Sequence, residues 1–361
     1  MNTISLEQRA NRAVSNWIFL GVIMLLVQVV LGGVTRLTGS GLSITEWNVV
    51  TGAFPPLNDQ QWQAEFYKYQ QTPQYRLLNT DFTLADFKNI FFWEWFHRLW
   101  ARLIAVAFLV GFVYLVAKKY IKKEMVNPLL TLFVLGALQG AIGWIMVASG
   151  LTGDAIYVRP TRLAMHFVFA LGLICYAFWL GMQIKLPPKS RINHPSLHRW
   201  AWILIGILFV QLIFGALMAG HKAATAAHTW PTINGSWVPD GLLKERPLAL
   251  NFFENKITIH FVHRGLAYAL LIMIIIYSVK VFRIQPASKI FSQARRIPLI
   301  LVTVQVLLGI LSVLTSTQIV PNRWGTFEWM AQLHQITGML LLLSLVAMLF
   351  LTRSLSFKQP S

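Results

Sequence analysis

Four histidines in this chain, His97, His166, His263 and His334, recur at matched places in apolar stretches. Each is preceded, one apolar segment earlier, by a Gln followed four residues on by a Gly. These pairs stand in "QVVLG" (Gln28, Gly32), "QGAIG" (Gln139, Gly143), "QLIFG" (Gln211, Gly215) and "QVLLG" (Gln305, Gly309). A single intramembrane His is often no more than a hydrogen-bonding residue between helices. Four at equivalent positions suggest paired imidazoles, and two inward-facing His on facing helices can hold a flat porphyrin with its iron ligated from both sides. His97 with His166 makes one such pair and His263 with His334 the other. Zinc is the competing metal, but a structural zinc site usually takes four ligands, commonly with Cys, and nothing here supplies them.

The neighbours of the histidines bear on that chemistry. Arg98 and Arg264 directly follow the first His of each pair, and Arg102 lies one turn beyond Arg98. A guanidinium in a bilayer is costly and needs a partner. A heme propionate fits, because Arg pairs bidentately with carboxylates; lipid phosphate is the alternative. Three residues before His97 stands Glu94, on the same helical face. The equivalent positions before His263, His166 and His334 hold His260, Leu163 and Ala331. Only the first pair therefore has a carboxylate beside it, and a carboxylate near a redox centre can accept a proton or stabilise positive charge. The first site is expected to host chemistry and the second an electron-transfer heme. The plainer alternative for Glu94 is a solvated acid at a helix start, favoured by the dipole.

The elements that must position these residues are membrane helices. Of 361 residues, 56% are hydrophobic and only 12% charged, far from the balance of a soluble domain. Eight segments reach the roughly 20 apolar residues a span requires: about 15–33, 97–117, 127–148, 163–183, 200–219, 260–280, 298–316 and 333–351. Backbone groups cannot stay unpaired in lipid, so these are helices. The net charge of +18 collects in short loops around Lys118–Lys123, Lys185–Arg199 and Lys280–Arg296, on the side of Arg9 and Arg12, whereas eleven of the thirteen acidic residues lie on the other side. The positive-inside rule puts both termini in the cytoplasm, and the basic excess reads as topology and attraction to membrane lipid, with no nucleic-acid partner. The first sixteen residues show no presequence pattern and no cleavable signal, so the first helix is expected to act as the insertion signal. The single Cys175 lies mid-helix and excludes a disulfide within the chain.

The spacing also repeats. His97 to His263 is 166 residues, Gln139 to Gln305 is 166, and His166 to His334 is 168. That predicts an all-α integral membrane fold of eight transmembrane helices, arranged as two tandem, pseudo-symmetric four-helix bundles over 1–184 and 185–361. Close helix packing alone would also explain the Gln and Gly. The outer loop 34–93 carries Trp47, Trp62, Tyr67, Tyr69 and Tyr75, with an amphipathic helix expected over 54–70, and should cover the first site to exclude water. Loop 220–259 is its counterpart, where His221 and His228 read as surface or loop-capping residues. A transporter is disfavoured, since no Asp or Glu lies near the middle of any of the eight helices.

Several stretches carry a resemblance to a known family. "GGVTRLTGSGLSITEWNVVTGAFPPLN" (Gly32 to Asn58), "EWFHRL" (Glu94 to Leu99), "AAHTWPTINGSWVP" (Ala226 to Pro239), "FENKITIHFVHRGLAY" (Phe253 to Tyr268) and "QLHQITG" (Gln332 to Gly338) occur in order along essentially the whole chain. Together they resemble the heme A synthase family. The resemblance implies O2-dependent oxidation of a methyl group of heme O to the formyl group of heme A, for cytochrome c oxidase biogenesis, in a bacterial inner membrane. It implies a resident heme b on His263 and His334, with Arg264 nearby. It further implies substrate heme between His97 and His166 with Arg98 nearby, and Glu94 as the catalytic carboxylate. Electrons must come from a separate donor, since no flavin or nicotinamide motif is visible; heme O synthase and further copies of the chain are possible partners. The chain lacks the cysteine pair that one branch carries in the first outer loop. It also has His260 where an amide is common, which suggests a supporting role beside the heme. A di-heme bis-histidine cytochrome b that only transfers electrons is the alternative.

Overall fold

The computed structural model describes residues 5–48, 51–286, 288–321 and 323–354; the chain ends, whose side of the membrane the sequence assigns, lie outside these. In chain order the helices are α1 (Leu6–Leu37), α2 (Asp59–Gln70), α3 (Pro73–Leu78), α4 (Leu84–Ala117), α5 (Lys123–Ala148) and α6 (Pro160–Lys185). There follow α7 (Pro195–Gly220), α8 (Lys256–Phe282), α9 (Lys289–Ala294), α10 (Ile297–Leu314) and α11 (Thr326–Leu351). Counting α9 with α10 as one, eight spans are long and apolar enough to cross a membrane: α1, α4, α5, α6, α7, α8, α9–α10 and α11. The protein is an all-α, multi-pass membrane protein.

Local chemistry sets the helix ends. α1 opens on a capping box in which Ser5 and Gln8 satisfy each other's backbone N–H groups, and it closes at Gly39, whose φ of +69° is a left-handed turn that glycine adopts without penalty. α4 opens on a second capping box between Thr83 and Asp86 and has 34 residues. At about 1.5 Å per residue it is about 51 Å long, well beyond the roughly 30 Å of a hydrocarbon core. Its first turns therefore stand clear as a post for the connecting segment, and His97 lies thirteen residues past Leu84, deeper in its helix than the sequence implies. The helix expected over 54–70 is α2. Its Trp62 and Phe66, with Tyr69, pack on Phe87 and Phe91 of the α4 post through ring centroids 5.0 to 6.4 Å apart.

Packing is dense at one end of the bundle. Val14 and Ile18 of α1, Leu171 and Ile174 of α6, Leu204 of α7, Ile274 of α8 and Leu345 of α11 form one fully buried core. α11 is central, with 67% of its apolar window buried against 6% for α4 and for α5. The pairings recur with a shift of four long helices: α1 packs on α4 and α6, as α7 packs on α8 and α11, and α5 packs on α6 as α10 does on α11. α6 lies on α7 and α11 lies on α1, joined by Gln332 and Gln335 of α11, which donate to the carbonyls of Val30 and Val29 at 3.0 and 3.1 Å.

One pairing breaks the pattern. α8 and α10 pack together, whereas α4 and α5 meet chiefly through Phe108 and Phe112 against Phe133, at 4.6 and 5.4 Å. The positions of Leu271, Val302 and Val306 in the later helices are held by Ala105, Gly136 and Gly140 in the earlier ones, so less side-chain volume fills the space between α4 and α5.

Candidate functional site

Above the dense core, toward the end bearing the two long connections, the helices enclose a cavity of about 1210 Å³. All four sequence-identified histidines line it, as do Glu94, Arg98 and Arg264. Its wall includes Ala105, Gly136 and Gly140, so between α4 and α5 the space runs out to the exposed flank of the bundle.

The Gln–Gly–His unit is one device built four times. A Cβ added at Gly32, Gly143, Gly215 or Gly309 would sit 3.1, 2.8, 3.2 or 2.9 Å from Cε1 of His97, His166, His263 or His334 respectively. Each glycine is thus a notch that admits the imidazole of the next long helix. The Gln one turn away borders the same ring: the Nε2 atoms of Gln28, Gln211 and Gln305 lie 3.3 Å from Nε2 of their histidines, and that of Gln139 lies 3.1 Å from Nδ1 of His166. Gln28 and Gln139 also donate to the His97 and His166 carbonyls, at 3.1 and 3.2 Å. General helix packing would not place the same ring on the same glycine four times.

The residues fit a bis-histidine heme. The ring centroids of His263 and His334 are 6.3 Å apart. An iron held by one nitrogen of each ring lies about 2 Å from both nitrogens, which puts the ring centres roughly 6 Å apart. Nδ1 of His334 is 3.0 Å from the Gln305 carbonyl, so a hydrogen bond there leaves Nε2 as the lone-pair nitrogen, the usual arrangement of a metal-binding imidazole. Nδ1 of His97, Nδ1 of His263 and Nε of Arg264 are buried without a partner among the described residues. Buried polar atoms of this kind ordinarily have partners, and a heme propionate would supply one for Arg264 Nε.

Beside the first pair, Glu94 is 3% exposed, so it is not the solvated acid at a helix start that the sequence allows. One carboxylate oxygen accepts from Ser43 Oγ at 2.7 Å and from the Ile44 N–H at 2.9 Å; the other accepts from Arg98 Nη2 at 2.6 Å. Arg98 donates as well to the carbonyls of Ile44 and Glu46 at 3.1 and 3.0 Å and lies over the Trp47 ring. Arg102 donates to the Asn48 carbonyl at 2.8 Å. The segment 43–48 is therefore stitched onto α4 directly over Glu94. Farther along the same cover, hydrogen bonds from Lys68 hold the Glu46 carboxyl below its ordinary range.

The later helices repeat the clamp with different chemistry. Arg264 donates to the carbonyls of Ala227, Thr229 and Thr232 at 2.6, 2.9 and 3.2 Å. His260, fully buried, has Nε2 2.9 Å from the Ala223 carbonyl. His221 Nε2 is 2.6 Å from the Phe253 carbonyl, within its loop, and His228 is exposed. The position three before the first His of each pair thus tethers the overlying loop in both places, by a carboxylate in one and an imidazole in the other. Sequence reasoning did not find Ser43, the Ile44 amide, or Arg36 and Glu328, which also line the cavity. Ser43, Ile44 and Arg36 lie in a polar run far from the histidines, and Glu328, six residues before His334, is not on the repeated Gln–Gly–His positions.

Comparison with known proteins follows these lines. Residues 15–346 match the family model described as cytochrome oxidase assembly protein. A protein of Bartonella henselae named heme A synthase is 39% identical over 87% of each chain. Proteins of the same name from Parvibaculum lavamentivorans and Rhodopseudomonas palustris are 42% and 43% identical, over 76% and 85% of this chain and 79% and 83% of theirs.

Proposed function

The chain belongs to the cytochrome oxidase assembly protein family, and on that premise we propose that it is a heme A synthase. It is an oxidoreductase that converts a methyl group of heme O to the formyl group of heme A with O2. The observation that carries this reading is Glu94. It lies buried beside the first histidine pair with both oxygens held, whereas the matching position of the second pair holds His260.

The two halves then divide the work. Residues 185–361 would hold the resident heme b through His263 and His334, with Arg264 Nε, buried and unpartnered among the described residues, left to bind a carboxylate of it. Residues 1–184 place substrate heme between His97 and His166. When bound there, heme b would supply one-electron chemistry to the first half. Glu94 accepts a proton from, or stabilises positive charge at, the reacting methyl carbon. Ser43, the Ile44 amide and Arg98 fix its orientation, and the clamped segment 43–48 keeps bulk water from the reacting carbon. Two oxidations of one carbon followed by loss of water give the aldehyde, with electrons delivered by a separate donor. The basic loops support a reading with both termini in the cytoplasm of a bacterium and the heme sites near the outer face of its inner membrane. Association with heme O synthase, or with further copies of the chain, would hand a poorly soluble heme on without release.

Expression in a host that makes heme O but not heme A tests the reading. Chromatography of extracted hemes should show heme A appearing with the protein. Accumulation of a normal b-type protein with heme O alone would leave the electron-transferring cytochrome instead.

The notch carries its own expectation. Gly309→Ala puts a methyl 2.9 Å from His334 Cε1, closer than van der Waals contact, so the imidazole must move. Heme b per purified chain should fall at least twofold. Gly206→Ala, with nothing within 4 Å, should leave it at the wild-type value.

A further inference from the structure

Arg36 is a cavity-lining guanidinium that the proposed reaction has not used. It follows Gln28 and Gly32 at steps of four, so the three share one stripe of α1. Gln28 lies 3.3 Å from the His97 ring and Gly32 faces its Cε1. Arg36 therefore stands about one turn, roughly 5 Å, above that imidazole toward the loop end. The turn is held in place by Thr35, which donates to the Trp93 carbonyl of α4 at 3.3 Å.

The other cations lining the cavity are engaged. Arg98, Arg102 and Arg264 donate to main-chain carbonyls, and Lys222 lies 3.6 Å from the centre of the Tyr157 ring. The Arg36 guanidinium forms no hydrogen bond or ion pair among the described residues. The carboxylate nearest in electrostatic effect is Glu328 of α11, buried and accepting from the Gly325 N–H at 2.8 Å, but outside ion-pair distance of Arg36. A guanidinium facing a cavity between membrane helices calls for an acceptor, and an anion is the strongest one. The positions four past the other three notch glycines hold Val147, Ala219 and Val313, so this charge belongs to the first pair alone.

We propose that Arg36 pairs with a propionate of the substrate heme and so sets which porphyrin edge faces Glu94. The inference rests on the enzymatic reading above. Each propionate-bearing pyrrole of a protoporphyrin-derived heme also carries a methyl, so holding the propionate fixes a methyl close by. Arg36 is a positioning residue: it selects the carbon, and Glu94 acts on it.

The test is heme O binding to the purified protein, already loaded with heme b, followed optically, with heme O and its dimethyl ester as ligands. A charge-assisted pair of this kind corresponds to about a ten- to hundredfold change in Kd. Wild type should therefore bind the ester at least tenfold more weakly than heme O. Arg36→Gln should bind both alike, at the weaker value, with heme b content unchanged. If Arg36→Gln does not accumulate, Arg36→Lys carries the same comparison and should narrow the difference. Equal binding of heme O and its ester by wild type overturns the proposal, as does undiminished discrimination in the variant. Glu328→Gln should keep the wild-type preference; losing it there would make Arg36 only the counter-charge of Glu328. A wild-type protein that makes no heme A removes the enzymatic reading instead, which keeps the two failures distinct.

Discussion

Glu94→Gln should lower heme A formation by at least a hundredfold while leaving protein level and the heme b spectrum at wild-type values. Gln keeps the size of Glu and can still accept from Ser43 Oγ and the Ile44 N–H, so the overlying segment has two of its anchors. It cannot take up a proton, and a positioned acid–base group contributes about 10²–10⁴ in rate. The substitution also turns an amide toward Arg98, now 2.6 Å from a carboxylate oxygen. Arg98 retains the Ile44 and Glu46 carbonyls, so its clamp weakens without opening. Ser43→Ala separates chemistry from positioning: it removes one donor and leaves the acid, and should cost about tenfold, in keeping with the loss of one hydrogen bond to a charged group. Extraction and chromatography of total heme, normalised to protein, measures both. Wild-type heme A in Glu94→Gln would remove the carboxylate from the mechanism.

The fold was legible because its signals are local or periodic. Eight apolar runs of bilayer length and the charge of the loops between them leave little choice of class, and the Gln–Gly–His spacing pointed to four matched ring-and-glycine contacts before any distance was known. The geometric meaning of the glycine was not legible. Nothing local tells that Gly32 makes room for a ring 65 residues away, and helix packing explained the pattern as well. Arg98 and Arg264 looked like propionate partners because they follow histidines, yet most of their donors hold main-chain carbonyls of the covering loops. Those carbonyls come from irregular segments with no periodicity, so only three dimensions pair them with a guanidinium. Glu94 was found because a carboxylate in an apolar run stands out. Ser43 and Arg36 were passed over because polar residues in a loop-forming stretch do not. The start of α4, and so the place of His97 along it, was misjudged for a related reason. The post of α4 is too rich in aromatic and polar residues to read as a span, so the helix seemed to begin where it enters the apolar run.

His334→Ala should remove the heme b absorbance almost entirely and, with it, heme A formation, whereas His97→Ala should spare the first and abolish the second. The asymmetry follows from what each imidazole would hold on the proposed reading. His334 and His263 have ring centres 6.3 Å apart, the separation of two imidazoles sharing one iron, and the Gln305 carbonyl directs the His334 ring by taking its Nδ1. Removing one of two axial ligands leaves iron with a single protein nitrogen and a ring-sized space over Gly309. Imidazole added to His334→Ala should enter that space and restore the low-spin spectrum in proportion to its concentration, a rescue that general misfolding would not permit. His97, whose ring packs on Gly32, belongs to the other pair, so its loss should leave the resident heme in place and take away only the grip on the substrate. Difference spectra of purified protein, read beside chromatography of its hemes, separate the two variants. Loss of the heme b band in His97→Ala but not in His334→Ala would exchange the roles of the two halves, and Glu94 would then stand beside the resident heme.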